Sequence, residues 1–280
     1  MADNRKWTGE LDIRVFFDGH RSVARDIYFQ RALKVIRPIY LNGSNIPTFY
    51  IVNVGGGYLD GDRYNMDITV DPDAAVTLTS QGATKIYKTP TDKVEQYQTF
   101  TIKERGYMEF IADPVIAYEN SKFFQQNKFY LDKTASMFYT DILTPGYSQS
   151  DKHFTYTYMH LMNEIYVDGT LAVYDNLLMD PRRNKLTEIG YMEGYTHLGS
   201  CFFIHPDVKQ PLLETIHDDI IVKFEQAYHC RIGITLLPVA GFAIRILANQ
   251  TGLIENILTE IQTYVVKHYF DRDVAFLRKY

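Results

Sequence analysis

Apolar and polar residues alternate along most of the chain up to about residue 205, and this alternation is typical of half-buried β-strands. Leu11, Ile13, Val15 and Phe17 give the first clear example, and the Asp-Gly pair that follows them is a hairpin signal. Asp-Gly at 168–169 predicts a second hairpin. The pattern predicts strands over 11–17, 48–54, 64–70, 75–80, 84–88, 94–103, 107–111, 122–131, 135–143, 154–167 and 171–179.

The last part of the chain has a different period. Leu212, Ile216, Ile220 and Phe224 recur at helical spacing within 206–228, and a second apolar stripe runs from Leu253 to Val265. A strand pair at 231–237 and 242–247 separates the two. Strands followed by helix, hairpin and helix predict a mainly β (α+β) protein, a many-stranded scaffold with two late amphipathic helices. We find no linker composition and no repeat with a recognisable motif, so residues 1–280 are predicted to form a single unit.

The two helical stripes have two possible roles. They are expected to face the core, although the terminal helix could also contribute to a contact with a partner.

A glycine-rich stretch at 53–64, NVGGGYLDGDRY, is the first candidate for chemistry. It lacks the third glycine of a dinucleotide fingerprint and the Lys-Ser/Thr pair of a P-loop. Alternating residues follow it instead of a helix, so the dipole that would hold a phosphate is missing. Tyr64 stands where an EF-hand needs an oxygen ligand. The stretch is therefore predicted to be a loop between two strands.

Composition narrows the class of protein. The net charge of −5 argues against nucleic acid as a partner. The N-terminus has no secretory h-region, and the most apolar run, 232–244, is too short to span a bilayer. The chain has two cysteines, which do not make a disulfide framework. We expect a cytoplasmic protein without a membrane partner.

The cysteines and histidines give a weak metal signal. Cys201 and His205 have C-x-x-x-H spacing, and His229 adjoins Cys230. Together they could form a zinc site, but free cysteine is more often a small buried hydrophobic residue. His197 is equally ambiguous.

Three aspartates stand out by position. Asp62 follows the glycine loop, Asp141 lies at the end of a strand, and Asp175 lies within an apolar run. A carboxylate in such a place needs a hydrogen bond, an ion pair or a polar cavity. A turn cap for Asp62 and ion pairs for the others are the simplest roles. Two of the carboxylates could alternatively perform acid–base chemistry in a hydrolase such as a glycosidase.

At this point the motifs resemble those of a known family. The stretch GGYLDGD at 56–62, followed by a strand and then TSQGATKIYK at 79–88, is similar to the signature of the urease accessory protein UreD, also called UreH. RPIY at 37–40, YTDIL at 139–143 and DNLLMDP at 175–181 resemble further segments of the family. The resemblance runs from about residue 10 to the end.

The resemblance implies a β-helix-like scaffold that is not an enzyme. It implies a hetero-oligomeric complex with a UreF-like protein and, through it, a UreG-like GTPase, which docks on apo-urease and delivers nickel. Nickel would pass in transit, without a tightly bound cofactor. The positions that match the proposed tunnel of the family are Asp62, Thr84, Asp141 and Asp175, the last across a one-residue gap. A hydrolase with a carboxylate pair and a metal-free β-rich interaction protein are the alternatives.

Overall fold

The computed structural model describes residues 6–274 and residue 277, and within them the chain is mainly β. Its strands are β1 (Gly9–Phe17), β2 (Ser22–Arg31), β3 (Leu33–Val35), β4 (Thr48–Asn53), β5 (Arg63–Val70), β6 (Ala75–Ser80), β7 (Thr84–Ile86), β8 (Val94–Ile102), β9 (Tyr107–Ile111), β10 (Val115–Ala117), β11 (Lys122–Leu131), β12 (Ser136–Leu143), β13 (Tyr158–Val167), β14 (Thr170–Met179), β15 (His197–Ile204), β16 (Arg231–Leu236) and β17 (Gly241–Ala248). A short 3-10 turn (Leu41–Gly43) precedes β4.

The chain winds back and forth between two sheets in the manner of a β-solenoid. One sheet has the order β14-β13-β11-β8-β5-β1-β2, and the other runs β16-β17-β15-β12-β9-β6-β4-β3. From β4 to β13 the chain passes from one sheet to the other, and successive coils pair in parallel. The short strands β7 and β10 form a third side. The predicted mainly β, β-helix-like fold is therefore confirmed.

Inward-facing side chains of both sheets meet in one apolar core. In β11, for example, Phe123 and Phe129 are fully buried, whereas Lys122 and Lys128, each one position earlier, are in the opposite phase and only half-buried. Parallel strands in adjacent coils hold equivalent positions side by side, so the rings of Phe100 and Phe129 stack at 4.8 Å. The period-2 pattern of the sequence thus determines which residues face the interior.

The glycine stretch crosses from β4 in one sheet to β5 in the other, so its prediction as a loop between strands is confirmed. Gly57 lies so close to the next coil that a Cβ there would sit 2.5 Å from the Tyr87 ring and 3.0 Å from the Lys85 carbonyl oxygen. Gly61 has a φ of 79°, a left-handed conformation that favours glycine. The glycines therefore allow a tight crossing and do not form a phosphate cradle.

One tyrosine per coil stacks along the third side of the solenoid. Tyr87, Tyr118 and Tyr147 follow one another with ring centroids 4.9 Å apart. The backbone links them, since Tyr118 N donates to the Ile86 carbonyl and Tyr147 N to the Ala117 carbonyl. This tyrosine ladder is a structural repeat that sequence inspection missed, because the surrounding residues differ from coil to coil.

The two predicted late helical segments are present. The first consists of α1 (Gln210–Ile216), a π-helical turn (His217–Ile221) and α2 (Val222–Ala227), and the second is α3 (Thr251–Phe270). Both pack on the outer face of the larger sheet. The α3 stripe from Ile254 to Val266 is buried there, so it forms core and leaves no free apolar stripe. No helix in the described part of the chain is long and apolar enough to cross a membrane.

Strand β15 was not predicted. Cys201, one of the zinc candidates, lies in the middle of β15, between β12 and β17. The segment is buried on both faces, against the core on one side and the helices on the other. Its apolar residues therefore lie on both faces, and Cys201–Ile204 lack the alternation that marks a half-buried strand.

Substitution of Gly199 tests the contact between β15 and α3. A Cβ at Gly199 would sit 2.5 Å from Ile254 Cγ2 and 3.3 Å from Ile246 Cβ, both in the packed core. We expect Gly199→Ala to lower the free energy of unfolding by about 1–3 kcal/mol through overpacking, measured by urea titration. Gly233→Ala, on β16 with open space around it, is the matched control and should change little. Equal effects would contradict close packing of α3 on Gly199.

Candidate functional site

A cavity of about 290 Å³ lies between the two sheets. Its wall includes exposed Gly56 and Gln81, so it reaches the surface beside the glycine loop. Deeper inside, the lining is more polar than the apolar core around it. The polar residues of the lining include Tyr64, Thr84, Gln98, Asp113, Gln125, Tyr139 and Asp141.

A row of polar side chains crosses the smaller sheet at one level of the core. Gln98 on β8, Asn127 on β11, Asn163 on β13 and Asp175 on β14 are direct cross-strand partners. The first three are at least 95% buried. Because each is in register with the next, the row is continuous from the cavity to the edge strand β14.

A second row faces it from the larger sheet. Asp141 on β12, Ser200 on β15 and Arg245 on β17 are cross-strand partners, and the inward side of β12 also carries Tyr139. Asp141 and Ser200 are buried, whereas the Arg245 side chain is 38% exposed. We call these two facing rows the polar seam.

Hydrogen bonds connect the two sides of the seam. The Asn127 amide donates to the Tyr139 hydroxyl and to Asn163 Oδ1, each at 2.8 Å. The Asn163 amide donates to Asp175 Oδ2 at 3.0 Å, and the Arg245 guanidinium donates to Asp175 Oδ1. The seam thus links the cavity to a partly exposed ion pair at the sheet edge.

Asp141 is the buried carboxyl of the seam. Burial raises its pKa to about 6, and the nearby Asp175 carboxylate acts in the same direction. Hydrogen bonds from Tyr139 and Asn163 and the positive charge of Arg245 lower the pKa and so offset part of this effect. The net effect is that Asp141 holds its proton to a higher pH than an exposed aspartate does.

The four predicted site residues are brought together to different degrees. Thr84 and Asp141 line the same cavity, and Asp141 and Asp175 share Asn163 within the seam. Asp62 stands apart from the cavity lining. Its oxygens accept hydrogen bonds from the Leu59 amide at 2.7 Å, from the Tyr64 hydroxyl at 2.9 Å and from Thr8.

Asp62 therefore closes the turn of the glycine loop, as the simplest interpretation expected. Its connection to the cavity runs through Tyr64, whose ring is part of the lining.

Sequence reasoning missed Gln98, Asn127, Asn163 and Arg245. The first three carried a signal, because each is a polar residue in the inward phase of its strand, two positions before a buried apolar residue. Their coincidence at one level depends on the register between coils, which the sequence does not show.

The cysteine and histidine candidates lie elsewhere. Cys201 and Cys230 are free thiols buried in the core between the larger sheet and the helices, and burial raises the pKa of both. The His205 ring contacts the Tyr269 ring at a tilt. Burial lowers the pKa of His197 to about 4, with His153 acting in the same direction. Over residues 6–274 and 277 no three His, Cys, Asp or Glu side chains are grouped as metal ligands.

Comparison with known proteins identifies the family of this chain. The family model described as UreD urease accessory protein matches residues 8–279. The chain belongs to the UreD family. Proteins named urease accessory protein UreD are 63% identical in Staphylococcus saprophyticus over the full length of both chains, and 59% identical in Staphylococcus aureus strain Newman over 99% of this chain and all of the relative. These names designate accessory proteins, so the prediction that the chain is not an enzyme is confirmed.

Removal of the two thiols tests the zinc alternative in this UreD-family chain. We expect Cys201→Ala and Cys230→Ala, singly and together, to leave the metal content of the purified protein unchanged, since both thiols lie in an apolar core. Ala is preferred to Ser because a buried hydroxyl would need a partner. Elemental analysis after dialysis is the measurement, with circular dichroism to verify folding. Loss of one bound metal ion per folded chain would show that the cysteines are ligands.

The ionisation of Asp141 gives a pH prediction. Its pKa is higher in the folded protein than the ordinary 3.8, so the folded state binds the proton more tightly. Its contribution to stability therefore decreases as pH rises from about 4 to about 6 and stays low above that range. Asp141→Asn removes this loss. Between about pH 4 and pH 7.5 we therefore expect the free energy of unfolding of the variant to rise, relative to that of wild type, by on the order of 3 kcal/mol.

Urea unfolding at several pH values checks this expectation. Asp168→Asn, which removes the same charge from an exposed hairpin, is the control and should show no such trend. A constant difference between Asp141→Asn and wild type across the range would contradict the raised pKa.

Proposed function

We propose that this protein acts in urease maturation as a scaffold and as a conduit that passes nickel toward apo-urease. Family membership supports the accessory role. The observation that supports the conduit is the polar seam, because it joins a cavity to the sheet edge through a largely apolar core. A buried row of this kind costs stability unless its groups are satisfied, so its presence calls for a reason beyond folding.

The donor chemistry of the seam fits a divalent cation in passage. Carboxylate and amide oxygens, spaced along a row, offer weak successive contacts, and nickel accepts carboxylate ligands. A path must bind an ion well enough to admit it and weakly enough to release it. Asn127 Oδ1 supports this view, since it is a fully buried acceptor without a donor among the described residues.

Within this proposal the four candidates have distinct roles. Asp141 is the buried carboxylate of the seam, and Thr84 lines the same cavity. Asp175 lies at the far end of the seam. Asp62 would act at the entrance, where its negative charge lies next to Tyr64.

The proposed partners are a UreF-like protein, a UreG-like GTPase and apo-urease, in a cytoplasmic hetero-oligomer. The names of the relatives support only the association with urease maturation. The other partners rest on the resemblance of the sequence motifs to the family.

Neutral variants of the carboxylates test the conduit. We expect Asp141→Asn to lower the nickel incorporated into urease on the order of tenfold, because Asn keeps the shape and one acceptor oxygen but removes the charge that attracts a cation. Asp62→Asn should also reduce incorporation, and the double variant should reduce it further. Nickel content and urease activity after co-expression are the measurements.

Complex formation separates a conduit from a scaffold. Pull-down of UreF-like, UreG-like and urease partners should be unchanged in these variants, and Asp168→Asn on the exposed hairpin should behave as wild type. Full activation by the double variant would leave Asp62 as a turn residue and the protein as a metal-free scaffold. Loss of activation together with loss of the complex would favour a purely structural role for the carboxylates.

A further inference from the structure

The polar seam ends at an ion pair between Arg245 on β17 and Asp175 on β14. Both oxygens of Asp175 are engaged, Oδ1 by the Arg245 guanidinium and Oδ2 by the Asn163 amide. The two charged side chains are 38% and 19% exposed, so the pair lies where the seam meets solvent. A cation that reaches Asp175 from inside therefore finds its carboxylate already occupied.

The position of Arg245 is set by the sheet. It is in register with Ser200, which is in register with Asp141, and its guanidinium lies 5.4 Å from the centre of the Phe202 ring. Its charge acts on Asp141 as well as on Asp175. With Asp141 ionised, the seam holds two carboxylates and one guanidinium. Its net charge is then −1, whereas the two carboxylates alone would give −2.

This charge balance matters for a divalent ion. Two uncompensated carboxylates in a buried seam would neutralise a divalent cation completely and hold it tightly, because charges interact strongly where water is scarce. A fixed positive charge beside them weakens the binding of any second cation. Passage requires weakened binding, whereas storage does not.

We infer that Arg245 is a resident counter-cation of the seam, which competes with the transported metal ion for Asp175 and keeps its residence short. This inference rests on the proposed conduit and assigns a specific residue to its release step. Arg245 acts as a positioning and tuning residue, since it repels the cation and does not bind it.

Nickel affinity of the full-length chain is the direct test. Equilibrium dialysis against NiCl2 at about pH 7.5 should show roughly tenfold tighter binding by Arg245→Gln than by wild type, the size expected when a like charge within about 6 Å is removed. Dissociation into a chelator should be slower by a similar factor. Arg245→Lys keeps the charge and should restore values close to wild type.

Two further variants serve as comparisons. Arg231→Gln removes an arginine from the neighbouring strand β16, where it pairs with Glu193 at the surface, and should leave nickel affinity unchanged. Asp175→Asn keeps Arg245 and removes the carboxylate, so we expect binding weaker than wild type. This opposite shift tests the inference even if Arg245→Gln is poorly folded.

The outcomes separate the inference from the proposed function. Unchanged nickel affinity in folded Arg245→Gln, combined with activation that depends on Asp141, would overturn the role of Arg245 and leave the conduit intact. Tighter binding in both Arg245→Gln and Arg245→Lys would also overturn it, since charge would not be the cause. Wild-type protein that binds no nickel, together with full activation by Asp141→Asn, would overturn both.

Discussion

A hydrogen bond from the Asn127 amide to Asn163 Oδ1, deep between the two sheets, is the contact on which the interior of this protein depends. In stacked parallel strands, equivalent positions of neighbouring coils lie side by side, so a buried amide can be satisfied by an amide in the next coil. A single polar residue in such a core would instead remain unpaired at a cost of about 1–3 kcal/mol. The polar seam therefore extends from coil to coil until it reaches charged groups that solvent can screen.

The neighbouring levels of the core supply the stability that the seam lacks. Two residues further along the same strands, Phe100, Phe129 and Ile165 form an apolar row in register, and Phe100 and Phe129 stack. These side chains are fully buried and fix the spacing of the coils on one side of the seam. The helices strengthen the larger sheet from outside, so its inner face is free to carry Asp141 and Arg245.

Local pattern predicted much of this fold. Alternation located most of the strands, helical spacing located both late helical segments, and the missing motif residues identified the glycine stretch as a loop. Strand β15 was missed because burial on both faces removes alternation, and β2 because the apolar residues Ile27, Tyr28 and Phe29 of this exposed edge strand are consecutive and do not alternate. Asp141 and Asp175 were identified as unusual carboxylates. Their connection through Asn163 could not be predicted, because it depends on the register between strands that are distant in sequence.

Three aspartates that look alike in the sequence thus have three different environments. Asp62 accepts hydrogen bonds within a turn, Asp175 is ion-paired at a sheet edge, and Asp141 is a buried carboxyl with a pKa of about 6. Burial raises the pKa of Asp141 above its ordinary 3.8, so a nearby charge changes its protonation closer to neutral pH than it would for an exposed aspartate. An approaching cation would favour the carboxylate and release its proton, whereas departure of the cation would restore it. In the proposed conduit, the position of a metal ion would therefore be coupled to the protonation of Asp141, and Arg245 would act on this balance from the opposite end of the row.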